Sequence, residues 1–196
     1  MMEGDGSTQY KGVNHTEPVA AAPSSGLSPS FREIYEAELS YVWHTLRRLG
    51  VRDEDLEDLT HDLFVAVYRR LDDYDRTRAI RPWLFGFAYR LAADYRRLAR
   101  HRREVPLGEL EPVDAGPTMD QQLARAHQRK LLQLALDCLD LNRRAVFVMH
   151  DVDGCSMPDV AEVLGIQLAT GYSRLRSARQ LVTAAVHRLR AKGGHE

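Results

Sequence analysis

The chain has 196 residues and a formal net charge of −1, with 44% apolar and 28% charged residues. This length and composition allow one medium domain or two small domains with buried cores. The two cysteines, Cys138 and Cys155, do not suggest a disulfide scaffold and favour a reduced, cytoplasmic compartment. No apolar run is long enough to span a bilayer and no secretion signal is evident, so we expect no stable membrane insertion.

Charge is strongly segregated along the chain. Residues 52–75 hold nine acids and three arginines, whereas residues 76–103 hold nine arginines and one acid. Residues 104–120 then carry five acids and no base, and residues 170–192 carry six bases and no acid. Two basic blocks that flank an acidic one indicate two nucleic-acid surfaces joined by a negative tether.

The first predicted elements are a tail and a helix. Residues 1–28 are rich in Gly, Ser, Pro and Ala, a composition that predicts a disordered tail. Helical spacing of apolar residues starts near Ser30, and Gly50 is placed to end this first helix. The disordered tail therefore precedes the first folded domain, which we place at residues 29–103.

A second helix is predicted from about residue 53 to residue 71. Its exposed face carries Asp58, His61 and Asp62, which favours a solvated or protein-docking face. A metal site or acid–base chemistry on these three residues is a minor alternative, because metal ligands usually need a further convergent group.

The third helix starts at about Arg81, with Pro82 tolerated in its first turn. Helical spacing predicts an apolar side made of Leu84, Phe87, Ala88, Leu91, Tyr95 and Leu98. The other side is rich in arginine, and aromatic residues from Trp83 to Tyr95 are interleaved with it, Phe85 among them. Rings and arginines together suit single-stranded nucleic acid, although for Phe87 and Tyr95 a core position is favoured.

Residues 104–122 have the Pro, Gly and acidic content of a flexible linker. Helical spacing resumes at Leu123, and another helix is predicted from about Asn142 to His150. The predicted fold is therefore all-α, with two small helical domains, 29–103 and 123–192, joined by an acidic linker at 104–122.

The segment Ser156–Arg179 predicts a helix-turn-helix. Ser156 and Asp159 have capping-box spacing, and Gly165 is placed to end the first helix. In the second helix Leu175 and Ala178 point inward. A helix-turn-helix places such a second helix in the DNA major groove. Gly171 lies inside this helix and costs about 1 kcal/mol relative to alanine.

The chain shows no enzyme signature. No CxxC or HxxxH spacing, glycine-rich phosphate loop or nucleophile elbow is present. We therefore predict no catalytic residue, no metal site and no cofactor.

Three segments together resemble the extracytoplasmic-function (ECF) class of sigma-70 factors. Residues 57–71 are similar to the family's polymerase-binding helix, with His61 where glutamine is usual. Residues 81–97 are similar to the promoter-melting helix, with Tyr89 and Arg90 in place of Arg-Asn. Residues 142–179 are similar to the region that reads the −35 element, where Gly171 and Tyr172 depart from the usual T-V-K-S-R-L pattern.

The resemblance implies a sigma factor that binds core RNA polymerase at its clamp and flap regions. It implies that the acidic linker threads the polymerase channels. It also implies contact with promoter DNA, single-stranded at the −10 element and duplex at the −35 element, and an anti-sigma factor as a partner. The implied polymerase-binding residues are Asp58, His61, Asp62 and Phe64. The implied −10 residues are Arg76, Arg78, Arg81, Trp83, Tyr89, Arg90, Arg96, Arg97 and Arg100. The implied −35 residues are Thr170, Tyr172, Ser173, Arg174, Arg176 and Arg179.

One other class of regulator fits the helix-turn-helix. A LuxR-like transcriptional regulator with an N-terminal sensor domain would bind duplex DNA as a dimer without polymerase. The third predicted helix, with its arginines and aromatic rings, distinguishes a sigma factor from such a regulator, because a sensor domain has no need of this surface.

Overall fold

A computed structural model describes residues 30–102 and 119–193, and every regular element in these ranges is helical. The N-terminal unit contains α1 (Phe31–Arg48), α2 (Leu56–Arg69) and α3 (Ile80–Arg102). The C-terminal unit contains α4 (Met119–Leu136), α5 (Leu141–Phe147), α6 (Met157–Leu164) and α7 (Leu168–Gly193). This confirms the all-α prediction. In these ranges, each helix is too short or too polar to traverse a lipid bilayer.

Helix α1 starts and stops where the sequence predicts. The Ser30 backbone N–H donates to the Glu33 carboxylate at 2.6 Å, and the Glu33 N–H donates to Ser30 Oγ at 3.4 Å, which completes a capping box. After Leu49, Gly50 has a φ of +94°, a backbone conformation that favours glycine. Local signals therefore set both ends of this helix.

The N-terminal core lies between α1, α2 and α3. The largest fully buried side chains there include Leu46, Leu63, Leu84 and Phe85. The prediction that Leu98 faces inward is wrong, since its side chain is 55% exposed.

The C-terminal unit packs α7 against α4, α5 and α6. A π-helical turn at Val148–Val152 follows α5. Leu175 is 4% exposed and Ala178 is fully buried, so both face inward as predicted. Helix α4 begins at Met119, four residues before the predicted start at Leu123. The periodic pattern missed this first turn because residues 120–122 are polar and add no apolar position to it. The predicted tail and most of the predicted linker lie outside the described residues.

The two units also pack against each other. Helix α6 lies on α3, and the buried side chains of both units form one continuous cluster. Arg144 of α5 is 2% exposed and donates to the Arg48 carbonyl oxygen at the end of α1, at 3.4 Å. A Cβ on Gly50 would lie 2.6 Å from the Arg144 guanidinium, so glycine permits this close approach. Burial lowers the pKa of Arg144, and Asp137 opposes this change.

The helix-turn-helix lies at residues 156–179, as predicted. Ser156 Oγ accepts from the Asp159 N–H at 3.3 Å and donates to the Asp159 carboxylate at 2.5 Å, so Asp159 binds the cap hydroxyl. Gly165 ends α6 in the left-handed conformation, with φ 62° and ψ 40°. The Ile166 N–H donates to the Ala161 carbonyl at 2.9 Å and closes the turn.

Replacing Gly165 with alanine should lower the free energy of unfolding by about 1 kcal/mol, because an L side chain is strained in the left-handed region. No described atom lies within 4 Å of the added Cβ, so backbone strain alone would cause the loss. Urea unfolding followed by circular dichroism measures the effect. Gly165→Asn is the control, since asparagine tolerates this conformation better. An alanine variant as stable as the original chain would contradict the prediction.

Candidate nucleic-acid interface

The acidic face of α2 forms one wall of a groove of about 800 Å³ against α1. Asp58, His61 and Asp62 are exposed and line this groove, as predicted for a docking face. Among the described residues, no three His, Cys, Asp or Glu side chains converge as a metal site. The arrangement therefore offers negative charge beside an open groove, which suits a basic protein surface.

The opposite wall of this groove is aromatic and apolar. It carries Tyr35, Leu39 and Trp43, which lie four residues apart on α1. The sequence pattern placed Tyr35 in the apolar spacing of the first helix but assigned none of these three residues to a functional surface, although their spacing of four marks a stripe on the helix. The groove thus combines acidic and aromatic walls.

Phe64 takes a supporting position beneath the docking face. Its side chain is 2% exposed, and its ring lies 4.7 Å from the Tyr35 ring and 6.4 Å from the Phe31 ring, between centroids. A side chain buried in this way cannot make the direct contact with polymerase that the family resemblance implies for Phe64. Phe64 therefore holds α1 and α2 together under the acidic face.

An aromatic pocket of about 540 Å³ lies at the start of α3. The Trp83 ring is 5.0 Å from the Tyr74 ring and 4.8 Å from the Phe87 ring, between centroids. The Arg90 guanidinium lies 5.0 Å from the Phe87 centroid. Burial and the nearby Arg70 guanidinium lower the pKa of Arg90. Rings beside cations suit an unstacked base and its phosphate.

Tyr74 is a pocket residue that sequence reasoning did not single out, although the family resemblance implies that its loop, residues 72–80, contacts the −10 element. It lies in the loop before α3, and its hydroxyl donates to the Arg78 carbonyl oxygen at 2.5 Å. Burial raises the pKa of the Tyr74 hydroxyl, as does the charge of Asp75. A tyrosine in an acidic, irregular loop carries no periodic signal, which explains the omission.

The predicted −10 arginines divide by environment. Arg76 is exposed in the loop. Arg81 donates to Glu38 at 2.9 Å and stacks on the Tyr41 ring at 5.0 Å. Arg97 pairs with Asp94 at 3.1 Å on the exposed side of α3. The side chain of Arg100 lies outside the described residues.

Arg96 does not face the pocket. It is half-buried, and its guanidinium donates to the Leu49 carbonyl oxygen at 3.5 Å, at the end of α1. A cation at a helix C-terminus is favourable because the last carbonyls carry partial negative charge. Arg96 therefore supports the fold, and the predicted DNA contact needs this hydrogen bond to break.

Arg78 and Tyr89 contact the C-terminal unit. Arg78 forms two hydrogen bonds with the Glu162 carboxylate, at 2.5 and 2.7 Å, and lies 3.6 Å from Asp159. The Tyr89 hydroxyl donates to the Asn142 side-chain oxygen at 2.7 Å. The Arg78 guanidinium lowers the pKa of Glu162. Arg78 and Tyr89, which are both predicted to bind −10 DNA, are thus hydrogen-bonded to side chains of the C-terminal unit.

The second predicted surface is the exposed side of α7. Tyr172 is 55% exposed, and Ser173 and Arg176 are also exposed. Thr170 and Arg174 are half-buried at its flanks. These residues follow the helix-turn-helix turn, where the start of a recognition helix contacts base edges.

Arg179 on the same helix is exposed but paired. Its guanidinium donates to both oxygens of Asp151, at 2.8 and 2.6 Å, and lowers the pKa of that carboxyl. Asp151 lies in the π-helical turn after α5. The predicted DNA contact of Arg179 therefore competes with an internal carboxylate.

Gly171 is buried at the start of α7, beside the exposed Tyr172. A Cβ at position 171 would lie 2.7 Å from Met157 Sδ and 3.8 Å from Ile166 Cδ1. Met157 is itself 2% exposed at the start of α6. Glycine therefore lets the two helices of the motif approach closely, and it brings Met157 against the recognition helix.

The sequence matches two protein families. Residues 34–103 match "Sigma-70 region 2", and residues 129–182 match "Sigma-70, region 4". The RNA polymerase sigma factor NccH of Alcaligenes xylosoxydans xylosoxydans is 30% identical over 174 residues, 86% of this chain and 92% of that protein. The ECF RNA polymerase sigma factor SigL of Mycobacterium tuberculosis is 30% identical over 160 residues, 81% of this chain and 88% of that protein.

Solved structures of the same kind share the fold. CnrH in complex with the cytosolic domain of CnrY aligns with a TM-score of 0.57 at 26% identity, over 81% of this chain and 88% of that chain. The sigma factor RpoE of Bartonella quintana, in complex with the anti-sigma factor NepR, aligns with a TM-score of 0.64 at 18% identity, over 80% of this chain and 96% of that chain.

The contact between Gly171 and Met157 predicts coupled substitutions. With Met157 in place, Gly171→Ala should lose the usual gain of about 1 kcal/mol in helix propensity, because the new Cβ displaces the thioether. With Met157→Ala, the same change should stabilise the fold. Urea unfolding of the original chain, the two single variants and the double variant should give a coupling energy between positions 157 and 171 of at least about 0.5 kcal/mol. Ser173→Ala, exposed on the same helix, should be additive with Met157→Ala. Additive effects at position 171 would disprove the contact.

Proposed function

This chain belongs to the sigma-70 family, as an ECF-class factor that directs promoter-specific transcription initiation, and we propose how its surfaces divide that work. Residues 29–103 form the domain that binds core polymerase and opens the −10 element, and residues 123–192 form the domain that reads the −35 element. The observation that carries this division is the presence of an aromatic pocket with arginines at the start of α3 and a helix-turn-helix formed by α6 and α7.

The −10 site is the pocket at the start of α3. Trp83 and Tyr74 offer ring faces, and Arg90 lines the same pocket as a cation. Arg76 is exposed in the adjacent loop, and its charge acts on the Tyr74 hydroxyl. Removing a base from the duplex costs a few kcal/mol, and stacking a base on an aromatic ring returns about 1–3 kcal/mol. A flipped non-template base that stacks in this pocket, with its phosphates on the arginines, accounts for local melting.

The −35 site is the exposed side of α7. Tyr172, Ser173 and Arg176 are placed to reach base edges, while Arg174 at the flank suits a phosphate. Arg179 joins this surface if DNA displaces Asp151. Tyr172 and Arg176 lie one turn apart, so their side chains read neighbouring base pairs.

The polymerase site is the groove between α1 and α2. Its acids, Asp58 and Asp62, suit a basic helical surface of the polymerase clamp, and the Trp43 side of the groove adds apolar area. His61 stands between the two acids. Phe64 keeps this wall rigid from beneath.

A protein partner that holds the factor inactive is part of the proposal. The relative CnrH was solved with the cytosolic domain of CnrY. By analogy, an anti-sigma factor binds this chain and competes with core polymerase. A sensor-linked LuxR-like regulator is not favoured, because the chain matches both sigma regions in order.

Run-off transcription with purified core polymerase tests the function as a whole. The full chain, added to core enzyme on a library of genomic templates, should start transcription at a distinct set of promoters. Core enzyme without the chain should not. Failure to co-purify with core polymerase, or to initiate on any template, would refute the proposed function.

Substituting Arg176 with alanine should weaken binding of the −35 element by about 1–3 kcal/mol if this guanidinium reads a base. The loss should fall at one promoter position and relax specificity there. Competition binding of the holoenzyme with single-base promoter variants measures it. Arg188→Ala, exposed further along α7, is the matched control. Equal binding by the Arg176 variant and the original chain would reject the role.

Charge reversal at Asp62 should impair assembly with core polymerase at least tenfold, which corresponds to about 1.4 kcal/mol. The residue is exposed, so circular dichroism and thermal unfolding should stay unchanged. Fluorescence anisotropy of the labelled chain with core enzyme measures the affinity for Asp62→Arg. The control is Asp72→Arg, the same charge change at an exposed position outside the groove. Normal assembly of the Asp62 variant would place the docking site elsewhere.

A further inference from the structure

The start of the recognition helix is uncharged and carries exposed apolar side chains. Residues 166–173, IQLATGYS, contain no charged residue, so Arg174 is the first cation of α7. Leu168 is 45% exposed, Tyr172 is 55% exposed, and Ala169 is exposed beside them. Positions 168 and 172 are four residues apart on a helix, so their side chains are neighbours. We call these three residues the apolar edge of α7.

Local structure holds the apolar edge toward solvent. The Gln167 carbonyl oxygen accepts the Gly171 N–H at 3.0 Å, so α7 is hydrogen-bonded from its first turn. Gly171 is buried against Met157 of α6, on the side of α7 that packs on the rest of the unit. The apolar edge therefore has a fixed position and lies open at the end of the helix that follows the turn.

The position of the apolar edge limits what it can contact on DNA. The first residues of a recognition helix contact base edges in the major groove, while the cations around them contact phosphates. Base edges in that groove present donors, acceptors and one methyl group, the C5 methyl of thymine. An apolar side chain gains free energy on leaving water when it meets an apolar partner. The thymine methyl is therefore the group that matches this edge.

We propose that Leu168, Ala169 and Tyr172 read thymine through apolar contact with its C5 methyl group. The −35 element of this factor then contains an A·T pair where α7 begins. Leu168 and Ala169 become specificity-determining residues, in addition to those that the family resemblance implies. This inference rests on the proposed function, since it takes α7 as the helix that reads the −35 element.

The cations of α7 complement this contact. Arg176 lies one turn after Tyr172 and is exposed, and an arginine fork matches the O6 and N7 atoms of guanine. Arg174 is half-buried at the flank, where a phosphate contact suits it. The apolar edge carries no charge, so it releases no counterions when it binds. Its share of the affinity should therefore be the same at low and at high salt.

The test uses deoxyuridine, which differs from thymidine only by the C5 methyl group. A promoter duplex that run-off transcription identifies is made with deoxyuridine at one −35 thymine at a time, on either strand. Competition binding with the holoenzyme measures each replacement, at low and at high salt. At least one replacement should weaken binding by the original chain about fourfold, the value expected for one buried methyl group.

Variants of the apolar edge should lose this discrimination. Leu168→Ala and Tyr172→Ala together should bind the thymidine and deoxyuridine duplexes equally. Both side chains are exposed, so circular dichroism should stay unchanged. The control is Leu181→Ala, which truncates another exposed leucine of the same helix, 38% exposed, and should keep the full discrimination.

Three results would overturn the inference and leave the proposed function standing. They are a −35 element without thymine, replacements that do not weaken binding by the original chain, and a deoxyuridine penalty that persists in the double variant. A double variant that loses affinity while keeping that penalty would assign the apolar edge to a protein contact. If run-off transcription finds no promoter, the proposed function fails and the inference fails with it.

Discussion

The structure depends on how its arginines are neutralised. Acidic and basic residues occupy separate blocks of the sequence, yet folding pairs Arg78 with Glu162 and Arg179 with Asp151. Without such carboxylates, the basic block that contains α3 would repel the basic α7 in the same small fold. Because both pairs are at the surface, DNA phosphates can replace the carboxylates at little cost. The same cations therefore serve folding and, in the proposed function, DNA binding.

Glycine and methionine set the geometry of the reading helix. Gly165 turns the chain through a left-handed residue, and Gly171 lets α7 approach Met157 of α6. The neighbouring Tyr172 projects into solvent. The two departures from the family pattern at positions 171 and 172 thus act differently. One sets how the helix packs, and the other changes the surface that the helix exposes to solvent.

Local features of this fold are predictable because their signals are local. Capping at Ser30, the positive φ at Gly165 and the buried Leu175 and Ala178 follow from spacing and residue type. The exposed acids of α2 and the exposed residues of α7 follow from the same periodicity. Periodicity gives a helix its faces, but it does not say which partner each face meets.

Several missed features depend on partners distant in sequence. Arg96 lies on the arginine-rich side of α3, and this position suggested contact with DNA. Its guanidinium instead donates to the Leu49 carbonyl oxygen at the end of α1, 47 residues away in sequence. The aromatic pocket needs Tyr74 from a loop and Glu162 from the other unit, and Arg78 and Glu162 are 84 residues apart.

That separation also bears on the order in which the protein is made. About 60 residues lie between the end of α3 and Glu162, so a ribosome adding about 5–20 residues per second needs roughly 3–12 s to synthesise them. For that interval the nascent N-terminal unit displays its pocket without the cover that α6 later provides. The pocket of the N-terminal unit is therefore most exposed to solvent before synthesis of the chain is finished.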